Sequence, residues 1–158
     1  MVASSDRDEA TCLARTLSTL VAALDRWGVD VAPVLGAAEL GRADLTDRER
    51  RISVAQHMAV WDAALVKTGD PALGLRVLEA FDPRTVLTDF VYIASSSATP
   101  REAFERVAPF IRVAHEAIEV DLQIEGSHTI FRAGFRGYED DRVMCDYFIG
   151  LVIKSPPS

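Results

Sequence analysis

The chain has 158 residues, 49% of them apolar and 26% charged. That is the size and balance of one soluble domain, which buries about two thirds of its unfolded surface without a metal or disulfide staple. Seventeen Lys and Arg against 24 Asp and Glu leave a net charge of −7, which repels phosphate backbones and argues against nucleic-acid binding by this chain.

Glu9 to Trp27 carries Leu13, Leu17, Leu20, Val21 and Leu24 near a period of 3.6, which predicts one helix with Gly28 as its stop. Asp30 is placed to cap a short helix through Leu35, with Pro33 in its first turn. Gly41 to Arg51 is charged and reads as a surface connection. Ser53 and Gln56 have capping-box spacing, and Val54, Met58, Trp61 and Leu65 follow as one apolar stripe that ends at Gly69. Asp70-Pro71 opens a helix through Leu75 and Leu78 to about Ala80.

Val86 to Ala94 is apolar without a decisive period; helix and strand both fit it. Thr99-Pro100-Arg101-Glu102 forms a second capping box. It starts a helix whose buried face is Ala103, Phe104, Val107, Phe110, Ile111 and Ala114, with a kink or break expected at Pro109. After His115 the period becomes 2. Ile118, Val120, Leu122 and Ile124 alternate with Glu119, Asp121, Gln123 and Glu125, and Phe131, Ala133 and Phe135 alternate with Ile130, Arg132 and Arg136. The pair predicts an antiparallel hairpin turning at Gly126-Ser127-His128, with Arg132 and Arg136 beside the carboxylates of the first strand. An acidic loop, Gly137 to Asp141, leads to a helix over Arg142 to Lys154 that the final Pro-Pro cannot continue. The fold class is therefore α+β: an N-terminal helical bundle, a helix, an antiparallel β-hairpin and a returning C-terminal helix.

The longest apolar stretch, Phe148 to Ile153, is too short to span a bilayer, and the acidic start around Asp6, Asp8 and Glu9 is unlike a signal peptide. A cytoplasmic protein without membrane contact is expected. The chain carries no GxSxG, P-loop, GxGxxG or HExxH motif, so neither a catalytic site nor a cofactor is expected. Cys12 and Cys145 lie at opposite ends without CxxC spacing, which argues against a disulfide framework or a zinc site. His57, His115 and His128 lack metal-ligand spacing, so no metal is expected either. His57 falls one place off its helix stripe and reads as a border residue, and His128 as a solvated turn residue. His115 ends a helix, where a charged imidazole gains about 0.3–1 kcal/mol from the dipole; a polar group at a pocket rim is the other reading. Phe104, Val107, Phe110 and Ile111 facing Phe131, Ala133 and Phe135 form either plain core or the apolar walls of a small-molecule pocket. On the pocket reading the ligand contacts are Tyr92, Phe110, Arg112, His115 and Phe131.

Asp70-Pro71-Ala72-Leu73-Gly74-Leu75-Arg76 is followed by Ser95-Ser96-Ser97-Ala98-Thr99-Pro100-Arg101-Glu102-Ala103-Phe104. In this order and spacing the chain resembles the N-terminal arabinose-binding domain of AraC-type transcriptional regulators, in the branch with ornithine- and virulence-regulator homologues. It departs from that pattern at Val86-Leu87-Thr88-Asp89-Phe90, where a glycine-rich stretch is common. The resemblance implies one effector-sensing and dimerisation domain over residues 1–158, non-catalytic, binding a small molecule and pairing as a homodimer. Family members continue with a further strand and helix and a C-terminal pair of helix-turn-helix units. The expectation is thus a domain lacking its last elements, with DNA reached only through a C-terminal part outside this chain. The alternative is a stand-alone or truncated protein-interaction or small-molecule-binding module.

Overall fold

A computed structural model describes residues 10–81, 93, 96–125 and 128–154. The first described elements are a short strand, β1 (Thr11–Leu13), and a 3-10 turn (Ala14–Leu17), followed by α1 (Ser18–Arg26), α2 (Ala32–Gly36) and α3 (Arg42–Thr46). Then come β2 (Arg51–Ser53), α4 (Val54–Thr68), α5 (Leu73–Val77) and a second 3-10 turn (Leu78–Ala80). The last described elements are α6 (Pro100–Ala114), β3 (Ile118–Glu125), β4 (His128–Phe135) and α7 (Arg142–Lys154). The α+β class and the closing helix–hairpin–helix order hold among the described residues, and a second small sheet is added at the start.

That sheet is the main correction to the expected order. Helical spacing predicts a helix from Glu9, but Thr11–Leu13 pairs antiparallel with Arg51–Ser53, Cys12 lying opposite Ile52. The pairing supplies backbone partners that a helix would otherwise provide, and Val54 N–H also donates to Ala10 C=O at 3.0 Å. The expected surface connection Gly41–Arg51 likewise contains α3 and the start of β2. Asp44 accepts from Gly41 N–H at 2.9 Å and so closes the first turn of α3.

The start and stop signals of α4 are realised. Ser53 Oγ accepts from Gln56 N–H at 3.0 Å while Gln56 Oε1 accepts from Ser53 N–H at 3.1 Å, which leaves two orphan donors of α4 satisfied. Gly69 ends α4 at φ 64°, a conformation a side chain disfavours. At α6, Thr99 Oγ1 accepts from Glu102 N–H at 3.2 Å, but Glu102 Oε2 reaches back to Ala98 N–H instead of the cap residue. Pro109 does not break α6. Pro109 and Glu105, the residue whose carbonyl loses its helical donor, are both exposed. After Asp70 the chain makes a turn through Pro71 and Ala72 before α5 begins at Leu73, so Pro71 precedes the helix it was expected to open. The region Val86 to Ala94 lies outside the described residues except for Ile93.

The core is continuous but uneven. Leu17, Leu20, Leu24, Val60 and Ala64 are wholly shielded, and Trp61, Leu73, Val77, Phe135 and Met144 join them. Helix α7 packs across α5 and β4. The β3–β4 register places Asp121 opposite Arg132, and Arg136 approaches Glu119 at 3.9 Å. The predicted charge complementarity across the hairpin is therefore present. These pairs are exposed and worth about 0–1 kcal/mol each.

Candidate functional site

Two clusters stand out from the core. The first lies where β1, α4 and the junction of α6 with β3 meet. Cys12, His57 and His115 are all buried, at 0%, 2% and 2% exposure, and one ligand atom from each lies within 4.8 Å of the other two. The imidazoles meet edge to face with centroids 4.9 Å apart. His57 Nδ1 and both ring nitrogens of His115 have no hydrogen-bond partner among the described residues. Burial pushes the Cys12 thiol up to about 12 and the His115 imidazole down to about 4. His57 lies well below its ordinary value, through burial first and the neighbouring His115 second. Both rings are neutral near pH 7.

Three expectations are corrected here. His57 is not a border residue: α4 buries His57, Val60 and Ala64 as well as Val54, Met58 and Trp61, so two adjacent ridges are covered instead of one. His115 is not a charged helix-end residue: it is buried and held neutral, and a β-bridge pairs its backbone with Cys12. The sequence spacing argued against a metal-ligand set, yet the fold brings one Cys and two His together from three distant stretches of chain. No local motif encodes that meeting. The available hint was three ligand-type residues at the edges of apolar stripes.

A polar clamp adjoins the cluster. Glu116 Oε2 accepts from Thr11 N–H at 2.7 Å and from the Thr11 hydroxyl at 3.1 Å, and its Oε1 accepts from Arg51 Nη2 at 3.1 Å. Arg51 also donates through Nε to Thr11 Oγ1 and through Nη1 to Val113 C=O. Hydrogen bonding from the Thr11 amide, more than any other cause, holds the Glu116 carboxyl below the usual range. The clamp ties both strands of the first sheet to the end of α6.

The second cluster is a chain of aromatic contacts from the first cluster to the hairpin. His115 meets Phe135 edge-on at 5.5 Å, Phe135 meets Phe148 at 5.7 Å, Phe148 stacks with Phe131 at 6.4 Å, and Phe131 meets Phe104 at 4.9 Å. Phe135 and Phe148 are buried, whereas Phe131 and Phe104 are half-buried. The expected helix and strand faces therefore do meet through Phe104 and Phe131. Phe110 does not join them. It lies at one edge of the α6 stripe and is 51% exposed. Arg112 is exposed on the same helix, and its charge helps to hold Glu116 ionised. Tyr92 lies outside the described residues.

The Asp70–Arg76 motif proves to be architectural. Asp70 Oδ1 accepts from Ala72 N–H at 2.9 Å, and Asp70 Oδ2 pairs with Arg76 at 3.0 Å. The Arg76 guanidinium in turn covers the Trp27 ring at 5.1 Å. Leu73 is completely buried. At Gly74 a Cβ would stand 2.1 Å from Val143 C=O, so only glycine lets the backbone of α7 approach this closely. The model of the arabinose-binding domain of AraC transcription regulators, N-terminal, matches residues 28–155. The chain belongs to this family. No individual curated protein matches it. As an AraC-type ligand-binding domain it is a non-catalytic regulatory module. Among the described residues no helix is long and apolar enough to cross a membrane. Cys12 lies ahead of the residues that the family model matches, and His57 and His115 lie within them.

Proposed function

We propose that this AraC-type domain senses a small molecule through the half-open aromatic contact between α6 and the hairpin and pairs with a second copy through α6. The single observation that carries the reading is the family match together with Phe131 and Phe104, which meet at 4.9 Å and remain half-buried at the outer end of an otherwise buried aromatic chain. A pocket requires apolar walls with few polar groups, and these rings supply such a wall. Arg112 would supply the polar contact. The effector would thus be a molecule with an apolar body and an anionic group. The motifs at Asp70–Arg76 and Ser95–Phe104 favour the branch with ornithine- and virulence-regulator homologues.

An effector acts only through its differential affinity for two conformations, typically about 1–3 kcal/mol. Here the aromatic chain would link the hairpin to the end of α6. The exposed apolar side chains Phe110 and Val113 on that helix would form the pairing surface. The net charge of −7 leaves DNA contact to another part of a regulator.

The test is a thermal-shift series with aromatic and medium-chain carboxylates, and with L-arabinose as comparison, on the wild-type chain and on Phe131→Ala and Arg112→Gln. A rise in Tm with a carboxylate that both variants diminish supports the reading. A rise with arabinose alone, or one indifferent to Phe131, overturns it. Sedimentation of Val113→Glu should show a monomer where the wild type shows a dimer; a wild-type monomer at all concentrations contradicts the pairing.

A further inference from the structure

We propose that Cys12, His57 and His115 form a binding site for one thiophilic metal ion of the Cu(I) or Zn(II) class. The three side chains offer a sulfur and two imidazole nitrogens, all within 4.8 Å of one another and all buried. Metal–ligand bonds of about 2.0–2.3 Å set ligand atoms about 3.3–3.8 Å apart. From separations of up to 4.8 Å the ligand atoms thus need to close in by up to about 1–1.5 Å, a movement within the reach of small side-chain rotations.

The second observation is the unmet bonding capacity. Buried polar atoms are nearly always partnered, because an orphan costs about 1–3 kcal/mol. Three imidazole nitrogens at one point in the core lack any hydrogen-bond partner among the described residues. A metal ion would take up one nitrogen from each ring at once, leaving the other to a second-shell acceptor or unpaired. The donor set of one thiolate and two imidazoles selects soft or borderline ions over Mg²⁺ and Ca²⁺, which require oxygen ligands.

Charge and ligand number bear on which ion is held. Arg51 and Glu116, the charged groups acting on the site, pair with each other at 3.1 Å and cancel. A thiolate with a monovalent ion is then neutral and three-coordinate, which suits burial. A divalent zinc ion leaves one positive charge and an open fourth position for an added anionic ligand. On binding, the Cys12 S–H bond is replaced by a sulfur–metal bond and its proton passes to solvent, with no change of oxidation state. An ion so held would tie the first sheet, α4 and the end of α6 to one point.

The experiment titrates the full chain with Zn(II), and anaerobically with Cu(I), each against a chromophoric competing chelator. One ion per chain is expected, with binding weakened at least about 100-fold in Cys12→Ser, since even the loss of outer-shell partners costs about 10–100-fold. Cys145→Ser and His128→Gln are expected to bind as the wild type does. Whichever ion binds more tightly identifies the species. X-ray absorption of the loaded wild-type chain covers the case in which Cys12→Ser does not fold, and one sulfur and two imidazoles should appear in the first shell. The proposal is overturned if neither ion binds at one per chain, if binding survives Cys12→Ser but falls in Cys145→Ser, or if the shell contains no sulfur. None of these outcomes depends on the effector reading.

Discussion

Around α1 and α4, Leu17, Leu20, Leu24, Val60 and Ala64 are wholly shielded, whereas on α6 Phe110 and Val113 stand half open and Phe104 and Phe131 are only partly covered. Among the described residues, one sequence thus builds a dense helical half and a less covered half in which α6 lies on a two-stranded ribbon that α7 also packs against. A two-stranded hairpin is marginal alone and depends on what packs against it. The difference teaches where ligand energy can act. The dense half is a fixed frame, and the open half has apolar surface still to bury.

Mutation should reproduce that division. Trp61→Ala, in the frame, is expected to cost about 3–5 kcal/mol, the range for deleting a buried aromatic side chain. Phe131→Ala, in the open half, should cost clearly less. Chemical denaturation of both variants measures the gap, and equal losses would break the comparison. Gly74→Ala should come next, at about 1–3 kcal/mol for overpacking, because the new methyl group meets backbone at Val143 and not a flexible side chain. Its Tm should fall together with the signal of α7 packing.

Acid should weaken the frame before the carboxylates titrate. His57 and His115 are held neutral by burial. Above pH 6.5 they are neutral in both the folded and the unfolded chain and contribute no pH slope. Below 6.5 the unfolded chain takes up protons that the folded chain refuses. Stability of the metal-free protein should then fall by about 1.4 kcal/mol per pH unit for each histidine. For His115 the fall continues down to about pH 4, where its folded form also protonates. Denaturation midpoints between pH 7 and 5 test this, and His57→Gln should flatten the slope. The smallest effect belongs to the open face. Phe110→Ser should change monomer stability by no more than about 0.5 kcal/mol, although it removes apolar surface available for pairing.

What was legible in the sequence was what neighbouring residues decide. Ser53 with Gln56, the stops at Gly28 and Gly69, and the alternation over Ile118–Ile124 each express a local rule, and the cap, both stops and the strand formed, although the helix ahead of Gly28 begins only at Ser18. The strand at Thr11–Leu13 was hidden because its partner, Arg51–Ser53, lies far along the chain and Leu13 and Leu17 also fit a helix. Phe110 fitted the buried stripe by angle, yet it is exposed, because what packs beneath a helix is a tertiary quantity. The meeting of Cys12, His57 and His115 has the same origin. Gly74 was legible as part of a motif, but its reason became visible only against the backbone of α7.

The central claim is that a rigid frame carries an open, responsive half, and native-state hydrogen exchange tests it most directly. Amides of Leu20–Leu24 and Val60–Ala64 should exchange only through global unfolding, while those of α6 and of β4 should open at markedly lower free energy. Uniform protection across the chain, or greatest protection in α6, would contradict the account.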